Sequence, residues 1–452
     1  MPAASKQSSP PSTSERNDFR PKFARYFTAI LLFLAVSIGG YLGFYRYHLK
    51  RFQAVAPGVL YRVAQPTELG IEILARLYNV KTLVSLQLMD FRLHRGLFDP
   101  GAADGRIESE YARTAGLNPV QWPMGVEQSW PWPTPWQFEE FFRLVDDPRN
   151  HPIVIHCMGG RHRTGTLSAL YRLEYDRWPI ERALAEMYSF RFGGAIPAQE
   201  HNLRTYAPRP RPSDSEWLVL REQFGAVLSP LPSDYEAFVR RLREAGADQS
   251  LQSALAGYLS KDNPFRLPLA ERLIDDPSHP LAETATNLAL RTLNMENADE
   301  ASLASAASLI ADYGSTDQQS RLSAALASET TSPAPSARYE ALVRGVTNRY
   351  TRNRIPFLKP LLTDLRTRRD PALAKYRYCD TALYRLAAIT DDLEILNWTD
   401  ELERELGPAA ALAWFAAHSE AERLVKFIRP TPTLVVQQSD GTEQEDLSRM
   451  RR

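Results

Sequence analysis

The chain has 452 residues, 44% of them hydrophobic, and a formal net charge of zero. That length accommodates two or three domains, and the lack of a net positive field argues against nucleic acid as a partner. The only cysteines are Cys157 and Cys379, and the eight histidines show neither a His-x-His nor a His-Glu-x-x-His spacing. A disulfide framework is excluded, and neither a metal nor a cofactor is expected.

Residues 1–24 form a polar tail, rich in Ser and Pro at its start, that is expected to be disordered. From Tyr26 to Tyr45 the chain runs twenty residues without a charge, inside a membrane-helix segment read as 25–46. Aromatic residues at its ends suit headgroup level, so a lipid bilayer is the partner expected for residues 26–45. The rival reading is a cleaved signal peptide, but the run is long for one and lacks a clean small-x-small cleavage site. Arg16, Arg20, Lys22 and Arg25 precede the span and Arg46, Lys50 and Arg51 follow it, so the side on which the bulk of the chain lies is not fixed.

Beyond Phe52 strands and helices alternate. Val59 to Thr67 reads as a short strand entering a turn, Glu68 to Tyr78 as a helix, and Lys81 to Leu86 as a buried strand. After a polar insertion come a helix over Ile107 to Ala115, a strand over Asn118 to Trp122 and a helix over Trp136 to Val145. This alternation predicts an α/β domain over 52–206, with a mostly parallel sheet flanked by helices.

The next stretch, Ile153 to Gly165, reads IVIHCMGGRHRTG. Its β-branched start predicts a buried strand, and helical spacing returns from Thr166, so a tight loop joins strand end to helix start. Ligands of open α/β sheets collect at such junctions, where helix N-termini direct N–H groups outward. A cysteine there, beside Arg163, favours the thiolate and is a candidate nucleophile. Met158, Gly159, Gly160, Arg161 and His162 complete the loop; the two glycines allow an anion nest, and Arg163 adds a planar fork that fits two phosphate oxygens. The chemistry this points to is phosphoryl transfer to sulfur, then hydrolysis.

His156-Cys157-x5-Arg163-Thr164-Gly165 resembles the signature loop of cysteine-dependent protein tyrosine phosphatases, the dual-specificity ones above all. Tyr61 to Thr67 is similar to the opening motif of those domains, and Glu181 to Met187 to the helix that follows their loop. The resemblance implies that Cys157 becomes a phosphocysteine and that Arg163 holds the phosphate in ground and transition states. It implies further that Thr164 stabilises the leaving thiolate and that His156 orients the loop. Gly160 to Gly165 is most similar to the loop of plant and fungal atypical dual-specificity phosphatases, which act on inositol pyrophosphates as well as phosphoproteins. Positive charge at Arg161 and His162 suits a multiply phosphorylated substrate. Where the family offers an aspartic acid to protonate the leaving oxygen, this chain has Trp122 to Gln128, with Glu127 the nearest carboxyl and Asp99 and Asp104 further candidates.

Residues 207–214 read as a Pro/Arg linker, 215–428 as an all-α domain with a HEAT-like helix pair over Ile355 to Leu362 and Tyr376 to Ala388, and 429–452 as a disordered tail. Cys379 is expected to be a small buried apolar residue. The helical domain has no acid, base or metal cluster; shaping access to the site or binding a protein partner is its expected task. Three readings follow for the whole: a membrane-anchored phosphatase acting on phosphotyrosine or phosphoserine/threonine in proteins, an inositol (pyro)phosphate phosphatase, or a non-catalytic phosphate-binding scaffold.

Overall fold

The computed structural model describes residues 19–87, 90, 92–93, 106–124, 132–133, 135–190, 197–232, 234–244, 248–274, 277–349, 351–370, 373–390 and 407–417. Residues 1–18, the C-terminal tail 429–452, Glu127, Asp99 and Asp104 lie outside the described residues, whereas residues 19–24, expected to belong to a disordered tail, form the first turns of a helix continuous with the apolar span.

A long helix, α1 (Phe19–His48), leads into a five-stranded sheet of order β1-β2-β5-β3-β4. The strands are β1 (Gln53–Ala56), β2 (Leu60–Ala64), β3 (Thr82–Ser85), β4 (Asn118–Gln121) and β5 (Ile153–Cys157). All neighbours run parallel except the β1–β2 hairpin. Strand β1 was not expected: Gln53-Ala54-Val55-Ala56 is too short and too weakly β-branched to stand out, and it forms because β2 lies one turn away.

Helices cover both faces. The side chains of β5 alternate between two cores, as a period of two requires. Ile153, Ile155 and Cys157 join α4 (Pro135–Asp146), α5 (His162–Glu174) and α6 (Ile180–Ser189); Val154 joins α2 (Glu68–Leu77) and α3 (Glu108–Thr114). All five β5 residues are buried, and each aliphatic one contributes about 1.5–3 kcal/mol through that burial.

Helix α7 (Pro197–Arg204) and an extended segment then lead into an all-helical region. It comprises α8 (Asp214–Phe224), α9 (Tyr235–Glu244), α10 (Gln249–Ser260), α11 (Arg266–Leu273), α12 (Ala282–Leu293), α13 (Glu300–Tyr313), α14 (Thr316–Thr330), α15 (Ala337–Thr347), α16 (Ile355–Leu361), α17 (Tyr378–Thr390) and α18 (Gly407–Ala417). Within the stretch read as a Pro/Arg linker, Arg209 clamps the chain onto the sheet domain. Arg209 Nε donates to Glu174 at 2.7 Å and its Nη1 to Asp146 at 2.7 Å, with Tyr175 and Tyr206 closing the cluster. His201 of α7 packs 4.3 Å from Tyr376 and 4.4 Å from Tyr384, between ring centroids. Cys379 is fully buried, and burial pushes its thiol up to about 12, in keeping with a packing role.

Candidate active site

Strand β5 sits at the centre of the sheet, hydrogen-bonded to a parallel neighbour on each side, with Ala64 opposite Cys157 and Ser85 opposite His156. Cys157 is therefore held at the carboxyl edge of the sheet, 5% exposed, where the chain turns through residues 158–161 into α5. Helix α5 begins at His162, earlier than Thr166, so its first turn includes Arg163 and Thr164.

The turn depends on Gly160. Its φ is +60°, and a Cβ there would lie 2.7 Å from the Ala64 nitrogen and 2.8 Å from the Val63 oxygen, so the loop rests directly on β2. The loop's carbonyls are taken up from outside. Gln65 N donates to Met158 O at 3.2 Å, Arg51 Nη1 to Gly159 O at 2.7 Å and Arg62 Nη2 to Gly160 O at 2.8 Å. In a planar trans peptide the N–H points away from the preceding C=O. With those carbonyls bound outward, the N–H groups of Gly159 and Arg161 are directed to the opposite side, the arrangement an anion nest requires.

Charge gathers at the same place. Desolvation lowers the pKa of Arg163, and its electrostatic interaction with Cys157 opposes that shift; no carboxylate neutralises Arg163 among the described residues. Arg62, packed with its guanidinium 3.7 Å from the Phe190 ring centroid, is brought down to about 10 by burial, with Glu186 and then Cys157 working against the shift. Arg161 has a buried Nε without a partner among the described residues. His162 keeps exposed surface, yet desolvation by the surrounding loop lowers its pKa and the charges of Arg161 and Arg163 lower it further. Near neutral pH the loop's additional positive charge therefore comes from Arg161. Met158 is 45% exposed, whereas Thr164 is buried with its hydroxyl unpartnered among the described residues.

Behind Cys157 runs a polar chain that sequence reasoning missed. His156 Nε2 meets Glu108 Oε1 at 2.5 Å, Gln65 Nε2 donates to Glu108 Oε2 at 2.6 Å, Gln87 Nε2 donates to Gln65, and Gln121 Nε2 donates to Gln87 O at 2.7 Å. It ties β5 to α3 and to the ends of β2, β3 and β4. In the sequence Glu108 reads as an ordinary acid in a first helical turn; a signal was available only for Arg62, a charge inside an otherwise apolar strand.

A family model described as a DSP-PTPase phosphatase fused to NAD+ kinase matches residues 52–204. Residues 52–204 belong to the dual-specificity phosphatase superfamily. The dual specificity protein phosphatase TpbA of Pseudomonas aeruginosa is 28% identical over 176 residues, covering 37% of this chain and 69% of TpbA. The inositol diphosphatase DSP5 of Arabidopsis thaliana is 34% identical over 82 residues, covering 18% of this chain and 40% of its own length. Among solved structures, the catalytic domain of the PP-IP phosphatase SIW14 from S. cerevisiae covers 40% of this chain and 96% of its own, with 20% identity and a TM-score of 0.28. The phosphatase match ends within α7, and α8 to α18 lie outside it.

Proposed function

We propose that this phosphatase is anchored in a membrane by α1 and works through a phosphocysteine at Cys157. The outward-clamped loop from Cys157 to Arg163 carries the reading. In it the Cys157 sulfur attacks phosphorus, and the bond from phosphorus to the leaving oxygen breaks with a proton supplied by a carboxylic acid, the role given to Glu127. Arg163 and the loop N–H groups stabilise the charge on the transferring phosphoryl oxygens. Water then cleaves the S–P bond while the Thr164 hydroxyl stabilises the departing thiolate and His156, fixed by Glu108, holds the loop in register.

Anchoring is supported by the span Tyr26–His48, which is long and apolar enough to cross a membrane and is exposed throughout its apolar window. A cleaved leader fits poorly, since His48 and Leu49 are buried against the phosphatase domain. The sequence similarity to an inositol diphosphatase and the unpartnered Nε of Arg161 favour a second reading, a substrate bearing several phosphates.

The experiment is hydrolysis of a small aryl phosphate by the full chain beside Cys157→Ser. The account expects the variant to lose about 1,000-fold or more in kcat/KM while still binding substrate; comparable turnover by the two proteins would refute it. If Glu127 is the acid, Glu127→Gln removes one limb of the pH-rate profile; an unchanged profile would dismiss it.

A further inference from the structure

The anchor helix ends against the loop that binds phosphate. His48 Nδ1 meets Thr67 Oγ1 at 2.6 Å, and Tyr45 pairs through its hydroxyl with Tyr78. Gly70 leaves no room for a side chain, since a Cβ there would lie 2.4 Å from His48 O. Leu49 is 2% exposed, within the core shared by α2 and α3. The next two residues reach the site: Lys50 O accepts from Ala64 N at 2.8 Å, and Arg51 Nη1 donates to Gly159 O at 2.7 Å. Ala64 is the β2 residue paired with Cys157, so α1 meets the sheet at the edge that carries the nucleophile.

Distance then limits what the site can meet. Between the end of the apolar span at His48 and Arg51 lies at most about 10 Å of chain, and the docked helix end leaves no flexible tether to lift the domain away. The loop is thereby held beside the headgroup layer, which extends about 5–7 Å beyond the hydrocarbon on each side. The surroundings match such a position. Met158, next to the nucleophile, and Tyr47 present apolar surface outward, and Arg46 and Lys50 add positive charge that attracts anionic lipid.

We infer that the substrate is a phosphate monoester displayed on a lipid headgroup, in the leaflet where α1 ends. This rests on the phosphatase and anchor readings above. The sulfur displaces the headgroup oxygen from phosphorus, the headgroup leaves as an alcohol with one added proton, and water cleaves the S–P bond to return the thiolate. The net change is one phosphomonoester and one water to one lipid alcohol and inorganic phosphate.

The test reconstitutes the full chain in phosphatidylcholine vesicles containing a phospholipid with a terminal phosphomonoester, phosphatidylglycerophosphate or a phosphatidylinositol monophosphate. Its water-soluble short-chain analogue and an aryl phosphate serve as parallel substrates. A second protein carries a Gly/Ser insertion of about 20 residues between Leu42 and Gly43, giving a slack tether of about 25 Å while leaving the docked residues from Gly43 onward intact. The vesicle lipid is expected to be hydrolysed about 10-fold or more faster than its soluble analogue, from the raised local concentration. The insertion should cut that advantage several-fold, since a slack tether lowers the effective concentration and frees the loop from its fixed place at the headgroups, and leave aryl phosphate turnover unchanged. Aryl phosphate hydrolysis without lipid hydrolysis overturns the lipid assignment and leaves the phosphatase reading standing, as does a preference for soluble inositol pyrophosphates or phosphopeptides. An advantage undiminished by the insertion also overturns it, and the absence of any hydrolysis by the unmodified chain overturns the phosphatase reading itself.

Discussion

Arg62 Nη2 donates to the Gly160 carbonyl at 2.8 Å while the same guanidinium lies against the Phe190 ring. One buried strand residue thus fixes the loop that follows Cys157 from behind and joins it to the end of α6. Arg62→Met keeps the bulk and removes the donor, leaving Gly160 O unsatisfied at a cost of about 1–3 kcal/mol. The expected result is a lower melting temperature together with a fall in kcat/KM of about 10-fold or more, because a small displacement of the loop is amplified in the rate. Steady-state kinetics on folded protein checks it.

The two loop glycines should respond differently to alanine. At Gly160 a Cβ meets β2 backbone at 2.7 Å and φ is positive, whereas at Gly159 the nearest atom is Arg161 Cγ at 3.8 Å. Gly160→Ala is expected to cost about 1–3 kcal/mol in backbone strain, with added cost from the clash, and to lose activity. Gly159→Ala should leave stability within about 0.5 kcal/mol. Thermal unfolding of both variants decides.

Glu108 accepts from Gln65 and meets His156 Nε2, so Glu108→Ala leaves the buried His156 ring unsatisfied, at about 1–3 kcal/mol, and frees the half-buried Gln65 amide. Glu108→Gln, which keeps the shape but loses the charge, should restore most of the stability and less of the activity, with a changed pH-rate profile. Equal recovery of both would reduce Glu108 to a packing residue.

Arg209 ties the segment that leads to the helical region onto α4 and α5 of the sheet domain. Removing it with Arg209→Ala strands the carboxylates of Glu174 and Asp146 and should cost about 3–5 kcal/mol. Burial raises the pKa of Asp146, but attraction to Arg209 outweighs this and holds it below the usual carboxylate value. A depressed carboxylate stabilises above its unfolded pKa of about 3.9, and that contribution fades as pH falls through the lower folded value. His151 acts at a different pH: burial lowers its pKa, so the unfolded chain binds more protons below about 6.5 and stability should fall as the solution is acidified through that range. Melting curves from pH 8 to pH 3 should show both declines, with the acid one weakened in Arg209→Ala.

The parts of the molecule legible in advance were those with short-range signatures. The β-branched run Ile153 to Ile155 predicted the central strand, Cys157, the glycines and Arg163 predicted the loop, and the helices expected over Glu68 to Tyr78 and Ile355 to Leu362 each match an observed helix to within one residue. What escaped depends on contacts distant in sequence. Arg51 and Gly159 are 108 residues apart, and Glu108 and His156 are 48 apart, so nothing local marks either pair. Arg209 sits among prolines that read as a linker, and nothing local shows that the carboxylates it answers belong to α4 and α5.

Covalent trapping at Cys157 tests the central claim most directly. The full chain is mixed with a radiolabelled aryl phosphate, quenched within the first turnovers and digested, and the labelled peptide is identified. The account predicts label on Cys157 and none in Cys157→Ser. Turnover by an unlabelled wild-type enzyme, or label retained in the variant, would contradict it.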